Sequence, residues 1–315
     1  MNFYVGVTDK AWFDYLRQEP REDVNFWKPL GGANFGAVPA GAPFLLKLRK
    51  PEHSIVGVGF FTVQTKASVS FAWETFGNRN GYGELLDFRA AINKYRVAHH
   101  KPAELNPEIS CLVLTAPVFF RKPDWIPAPA DWGDPIVTGK VYNTATPIGA
   151  RLWANVSATL LRYQNDAFTQ ELATDSLLLE SPAIYREALT KVRIGQGAFK
   201  ALVTQAYDKQ CAISGEKTLP VLEAAHIQPY SQAGPNQLGN GLLLRSDLHK
   251  LFDRHYLTID ATDRVVRVSS RIREEFQNGK EYYRFDGQPL RMLPKSILDQ
   301  PAKQYLEHHN QLFMP

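Results

Sequence analysis

Four polar residues in the last third of the chain have types and a spacing suited to hydrolytic chemistry. His226 lies near the end of a short apolar segment, residues 221–227, and Asn240 follows fourteen residues later. His249 comes nine residues after Asn240, and Asp253 follows four residues after His249, so a helix here places both on one face. An imidazole with a pKa near neutrality can deprotonate water, and imidazole and carboxylate groups can bind a divalent cation.

The motifs around these residues resemble those of the HNH nuclease family, of the restriction type. They are Ala224-Ala225-His226-Ile227-x-Pro229, Asn240-Gly241-Leu242-x-Leu244 and Asp247-Leu248-His249-x-Leu251-Phe252-Asp253, with a similar lead-in over residues 193–215. The resemblance covers roughly residues 190–270. It implies a ββα-metal fold, in which two strands and a helix surround one metal ion, and a metal-dependent endonuclease that hydrolyses DNA phosphodiester bonds.

The resemblance also implies a role for each residue. His226 is expected to be the general base, and Asn240 to orient it through side-chain hydrogen bonds to the loop backbone. His249 is expected to bind Mg²⁺ or Mn²⁺, with Asp253 completing the metal shell or orienting His249. Many family members have a metal ligand immediately before the base, where this chain has Ala225. We therefore expect fewer protein ligands to the metal than is usual.

Positive charge is concentrated in the C-terminal part of the chain. Residues 191–315 hold 17 Lys+Arg and 13 Asp+Glu, whereas residues 1–190 hold 19 of each. This excess suits a segment that meets phosphate. Arg245 and Lys250 are candidate phosphate contacts, although each could equally be a solvated surface charge.

Length and composition limit the class of protein. A chain of 315 residues suits two domains, and 44% hydrophobic with 22% charged residues is ordinary for a soluble globular protein. No apolar run approaches the roughly 20 residues of a membrane span, and the N-terminus does not resemble a signal peptide. Two cysteines exclude a disulfide framework, so a cytoplasmic location is expected.

The elements that must position these residues predict an α+β fold. Strands are predicted at residues 3–7, 43–48, 55–63 and 109–120, and helices at 9–17 and 84–95. A proline-dense loop or arm follows at 121–142, and then a helical linker at about 182–207. Short strands around residues 221, 257 and 266 and a helix at 245–252 form the last part. We therefore predict an N-terminal recognition domain at 1–145, a partly helical linker at 146–190 and the nuclease domain at 191–315.

The N-terminal strands resemble the PUA-like superfamily, which includes the EVE, ASCH and SRA domains. This resemblance rests on residues 41–48 and 55–61 and on the flanking aromatic residues. It implies a small curved β-barrel that holds a flipped or modified base. The base-recognition candidates are Phe26, Trp27, Phe71, Trp73, Glu74 and Asn78. Each aromatic residue among them could instead belong to the core.

These observations together predict a modification-dependent restriction enzyme for phage defence that cuts double-stranded, modified DNA. An HNH site cuts one strand, so a double-strand break needs a homodimer or two binding events. In one alternative, the N-terminal domain senses a small molecule or a partner protein and gates the nuclease. In another, the HNH-like fold binds DNA without cutting it.

Overall fold

The computed structural model divides the chain into two compact units, Met1–Ala198 and Phe199–Pro315. The residues that the structure describes are 1–31, 34–133, 136–163 and 195–315. Within them, the mixed α+β class predicted from the sequence is confirmed.

A mixed sheet forms the centre of the first unit. Its strands are β1 (Asn2–Thr8), β2 (Asp23–Lys28), β3 (Pro43–Leu48), β4 (Ser54–Ser68), β5 (Glu108–Phe119), β6 (Ile126–Pro127) and β7 (Gly139–Asn143). Their order is β2-β5-β4-β3-β1-β7, with β6 paired to β4. Strands β1 and β3 are parallel, and the other pairs are antiparallel. The four strand predictions are confirmed, although β4 extends beyond its predicted end.

Both faces of this sheet are covered, which explains the nearly continuous apolar runs in its strands. Phe3 and Val5 of β1 and Leu45 of β3 contribute to one buried cluster. The alternate residues Tyr4 and Phe44 contribute to the cluster on the other face. The period of two along each strand therefore supplies two cores from a single sheet.

Helices cover the sheet, and side-chain caps fix where several of them begin. They are α1 (Lys10–Leu16), α2 (Val69–Phe76), α3 (Leu85–Ala98) and α4 (Pro147–Leu160). Asp9 caps α1 by accepting hydrogen bonds from the backbone of Ala11 and Trp12, and Thr146 caps α4. Leu152 and Val156 of α4 pack into the first cluster, so part of the stretch predicted as a linker contributes to the core.

The second unit contains two pairs of strands and several helices. The first of these helices, α5 (Gln196–Ala206), starts three residues before the unit does. The other elements are β8 (Leu222–His226), β9 (Gly241–Arg245), α6 (Ser246–Asp253), β10 (Leu257–Ile259), β11 (Val266–Val268), α7 (Arg271–Phe276), α8 (Lys280–Tyr283) and α9 (Lys303–Leu312). The ββα order of β8, β9 and α6 agrees with the expected nuclease fold. Strands β10 and β11 form a second antiparallel pair.

Two further predictions concern the connecting segments. The helical linker was predicted at about residues 182–207, and its part up to residue 194 lies outside the described residues. Its part after residue 194 corresponds to α5. The described residues of the proline-dense stretch contain short elements, which are a 3-10 turn at Lys122–Asp124, the two-residue strand β6 and most of β7. No helix in the described part of the chain is long and apolar enough to cross a membrane.

Candidate active site

The β8–β9 hairpin and helix α6 position the polar residues singled out from the sequence. The antiparallel register pairs His226, the last residue of β8, with Gly241, the first residue of β9. Helix α6 starts directly after β9 and carries His249 and Asp253. The hairpin and the helix thus carry His226, His249 and Asp253 within one compact motif.

His226 is held by a ring on one side and an amide at its edge. Its imidazole stacks on Phe199 of α5, with ring centroids 4.0 Å apart and planes 14° from parallel. Its Nε2 lies 2.7 Å from Oδ1 of Asn236. These contacts of His226 with Phe199 and Asn236 could not be predicted from the sequence, because both depend on how the loop and helix α5 pack against β8.

This environment favours a neutral imidazole with a defined tautomer. Burial lowers the pKa of His226 and outweighs the opposing effect of the hydrogen bond to Asn236. With Oδ1 of Asn236 accepting, Nε2 carries the proton and Nδ1 keeps its lone pair. His226 can therefore accept a proton at Nδ1 near neutral pH.

Asn240 connects the two ends of the loop that follows His226. Its side chain is fully buried. Oδ1 accepts a hydrogen bond from the backbone N–H of Gln228 at 2.8 Å. Nδ2 donates to the backbone carbonyls of Gln228 and Pro235, each at 3.0 Å. Every polar atom of the amide thus bonds to the backbone of the loop that carries Asn236, the partner of His226.

Gly241 lets helix α5 approach the start of β9 closely. Its backbone is extended, with φ −123°, so a left-handed conformation is not the reason for glycine. A Cβ atom at this position would lie 2.6 Å from Cγ2 of Val203 and 3.1 Å from the ring of Phe199. Because Phe199 also stacks on His226, glycine here maintains the packing behind the imidazole.

His249 lies between two carboxylates. Its Nδ1 is 2.6 Å from Oε2 of Glu223, and its Nε2 is 3.3 Å from Oδ2 of Asp253. Burial alone would lower the pKa of His249, but the hydrogen bonds and charges of Asp253 and Glu223 together raise it. Glu223 lies on β8 and His249 on α6, so this contact depends on tertiary packing and could not be predicted from the sequence.

HNH nucleases typically use a divalent metal, and the donor chemistry here fits one. Nε2 of His249 and a carboxylate oxygen of Asp253 converge, while Glu223 bonds to Nδ1 and orients the ring. Among the described residues, no group of three or more His, Cys, Asp or Glu side chains is arranged to hold a metal ion. A cation at His249 and Asp253 would therefore take its other ligands from water or substrate oxygens, as Mg²⁺ commonly does.

The two phosphate-contact candidates differ in their surroundings. Arg245 forms a bidentate ion pair with Asp247, with N–O distances of 2.6 and 2.7 Å, and is only partly exposed. Lys250 is exposed on α6. Of the two side chains, Lys250 is the more accessible to an incoming ligand.

The structure brings two of the N-terminal base-recognition candidates together around Phe88 of α3. The ring of Trp27 lies 5.5 Å from that of Phe88, and Trp73 lies 6.2 Å from it. Tyr82 completes the set at 5.9 Å from Phe88. Trp27, Trp73 and Tyr82 are half-buried, whereas Phe88 is fully buried. We call these four residues the Phe88 cluster; its members Tyr82 and Phe88 were not singled out from the sequence.

The other four candidates lie in different settings. Phe26 is buried against Phe44, with ring centroids 4.8 Å apart, and Phe71 is buried on α2. Glu74 is exposed on the same helix. Asn78 is exposed, and its Oδ1 accepts a hydrogen bond from Arg21 at 2.7 Å. The rings of Phe26 and Phe71 are therefore core residues.

Comparison with protein families finds a match that falls on this motif. The model of the HNH_2 family, described as HNH endonuclease, matches residues 211–260. This part of the chain is an HNH endonuclease domain. The match contains His226, Asn240, His249 and Asp253, and it confirms the resemblance found in the sequence. It implies an enzyme that hydrolyses phosphodiester bonds, with DNA as the substrate.

Solved structures give weaker similarities, which concern the fold alone. ASCH from Zymomonas mobilis has a TM-score of 0.35 and 11% identity, covering 48% of this chain and 93% of that chain. A point mutant of the same protein gives a TM-score of 0.34 at 11% identity, covering 49% and 96%. The modification-dependent restriction endonuclease TagI gives a TM-score of 0.28 at 12% identity, covering 99% and 81%. Comparison with curated proteins gives no match.

Proposed function

We propose that this protein is a metal-dependent DNA endonuclease whose general base is His226. The observation that carries the proposal is the imidazole of His226, stacked on Phe199 and held through Nε2 by Asn236, within the matched HNH domain. Asn240 maintains the loop. His249 and Asp253 would hold Mg²⁺ or Mn²⁺, which when bound would supply positive charge to offset the negative charge that develops on the phosphate.

Each protein side chain then has a defined part in hydrolysis. Nδ1 of His226 takes a proton from a water molecule as that water attacks the phosphorus atom. One phosphorus–oxygen bond forms to the water, and the bond to the leaving sugar oxygen breaks. Phe199 and Asn236 keep the imidazole in one orientation through this step, while Glu223 keeps the ring of His249 in place.

We further propose that the first unit directs the nuclease to modified DNA. The Phe88 cluster offers the partly exposed rings of Trp27, Trp73 and Tyr82, and aromatic faces stack on bases with about 1–3 kcal/mol each. Residues 1–190 have no net charge, which suits recognition of one extruded base better than general attraction to the DNA backbone. A double-strand break would require two copies of the chain or two successive binding events.

Cleavage of a panel of plasmids tests the proposal. Plasmid DNA carrying no modification, 5-methylcytosine, 5-hydroxymethylcytosine or phosphorothioate is incubated with the full-length protein and Mg²⁺ or Mn²⁺. We expect cutting that depends on one modification, that stops with EDTA and that is lost in His226→Ala. Equal cutting of every plasmid would refute the target assignment but retain the nuclease. Cutting of none would refute the target assignment and favour the alternative in which the first unit senses a signal that gates the nuclease.

A Trp73→Ala variant, with Trp153→Ala as its control, separates recognition from cleavage. Trp73 belongs to the Phe88 cluster, whereas Trp153 packs against the core at another place in the same unit. We expect Trp73→Ala to weaken the preference for modified DNA and to leave cleavage of a saturating substrate unchanged. An unaltered preference would exclude this surface as the recognition site.

A further inference from the structure

A basic cleft lies in the second unit and is separate from the residues already assigned. Its volume is about 700 Å³, within the usual range of ligand sites. Among the residues that the structure describes, its lining includes four cationic side chains, those of Lys217, Arg245, Arg284 and Arg291. None of the site residues His226, Asn240, His249 and Asp253 lines it. The cleft therefore requires an explanation of its own.

The charges in the cleft are only partly neutralised. Asp247 pairs with Arg245, and Glu281 lies 3.5 Å from Arg284. Lys217 and Arg291 are exposed, and no acidic side chain in the described ranges forms an ion pair with either of them. Two unpaired cations beside two more guanidinium groups give the cleft a positive potential, which favours anions.

One carboxylate, that of Glu216, lines the cleft beside the cations, and one of its oxygens already accepts hydrogen bonds from the backbone. Oε1 of Glu216 accepts hydrogen bonds from the backbone N–H groups of Lys217 and Thr218, at 2.9 and 2.8 Å. Hydrogen bonds from Thr218 and Lys217 lower the pKa of Glu216, so it is charged at neutral pH. Even with Glu216 counted, cations outnumber anions four to one in the lining.

The lining favours phosphate over a nucleoside. Phe285 is the aromatic residue of the described lining, and it is buried. The guanidinium of Arg284 covers its ring at 4.8 Å from the centroid. A base would therefore find no free aromatic face to stack on, whereas phosphate oxygens would find guanidinium and ammonium donors.

The position of Arg245 connects the cleft to the nuclease motif. Arg245 ends β9 and directly precedes α6, the helix that carries His249. We infer that this cleft binds the phosphodiester backbone of the duplex at a place other than the cut phosphate. This inference rests on the proposed function, because it assumes that DNA is the ligand of the domain. The cleft supplies affinity that depends on salt and not on base sequence.

Binding measured without cleavage tests the cleft independently of the chemistry. The full-length His226→Ala protein is titrated against a fluorescent duplex across a series of salt concentrations, and the slope of log K against log salt is measured. Lys217→Ala with Arg291→Ala, added to this background, should reduce the slope by about 1.8, since each phosphate contact contributes about 0.9. Between about 50 and 200 mM salt, this amounts to an approximately tenfold smaller loss of affinity.

Two controls make the result specific. Lys295→Ala with Lys303→Ala removes the same charge from exposed positions outside the cleft and should leave the slope nearly unchanged. The charge-conserving pair Lys217→Arg with Arg291→Lys should retain the slope, and thermal unfolding shows whether each variant is folded.

The possible failures are distinguishable. An unchanged slope in the cleft variant, while the wild-type protein cuts DNA, would overturn the cleft and leave the proposed function standing. An equal loss in both double variants would also overturn it. A cleft-dependent rise in Tm with ATP, together with an unchanged slope, would assign a mononucleotide in place of the duplex. Absence of any duplex binding would overturn the inference and the proposed function together.

Discussion

Replacing Asn240 with alanine should affect both the stability and the activity of the second unit. The side chain makes three hydrogen bonds to the loop backbone, and truncation leaves one N–H and two carbonyls without these partners. Because Pro235 is exposed, its carbonyl can bond to water again. The two remaining groups, both on Gln228, cost about 1–3 kcal/mol each when unsatisfied. We therefore expect a loss of about 2–6 kcal/mol in the free energy of unfolding.

Urea unfolding measures the stability, and nicking of supercoiled plasmid measures the activity. The loop carries Asn236, which bonds to His226, so a loosened loop should misplace the base. A displacement of about 1 Å can cost about 100-fold in rate, and we expect at least this loss in kcat. Asn278→Ala is the control, since Asn278 is exposed, and it should change stability by less than about 0.5 kcal/mol. If Asn240→Ala proved as stable and active as Asn278→Ala, the assigned role of the loop anchor would be wrong.

Three further predictions follow from the histidine environments. Glu223→Gln should weaken Mn²⁺ binding to His249 by about 10–100-fold in calorimetry, because the ring loses the carboxylate that orients it; unchanged affinity would contradict this. Because burial lowers the pKa of His226 and a base acts when deprotonated, the acid limb of the single-turnover pH–rate profile should have its midpoint below 6.5; a higher midpoint would contradict the assignment. Burial lowers the pKa of His309, stacked on Phe252, to about 4, so the unfolded chain takes up this proton first as pH falls. The free energy of unfolding, measured with urea, should therefore decrease by about 3 kcal/mol as the pH falls from 6.5 to 4. In His309→Gln this part of the pH dependence should be absent.

The nuclease motif could be predicted from the sequence because its residues lie on neighbouring elements at fixed spacings. A strand, a loop and one helix contain His226, Asn240 and His249, so the local pattern already carries their arrangement. Their partners could not be predicted in the same way. Phe199 reaches His226 from α5, and Glu223 reaches His249 from β8, so both contacts depend on tertiary packing.

The N-terminal unit shows the same distinction. Its strands were predictable because apolar and β-branched runs favour buried strands. The sequence alone does not distinguish the aromatic residues near those strands, yet Phe26 is in the core while Trp27 is half-buried. The Phe88 cluster forms because Tyr82, which precedes α3, and Phe88 of α3 pack with Trp27 of β2 and Trp73 of α2, and these contacts exist only in the folded chain.

The most direct test of the central claim is the single-turnover rate of plasmid nicking by wild-type and His226→Ala protein, with and without added imidazole. Loss of a general base should lower the rate by about 10²–10⁴-fold. The truncation should also open space beside Phe199 in which free imidazole can accept the proton, so we expect partial recovery of the rate. A folded His226→Ala protein that nicks DNA at the wild-type rate would contradict the assignment of His226 as the base.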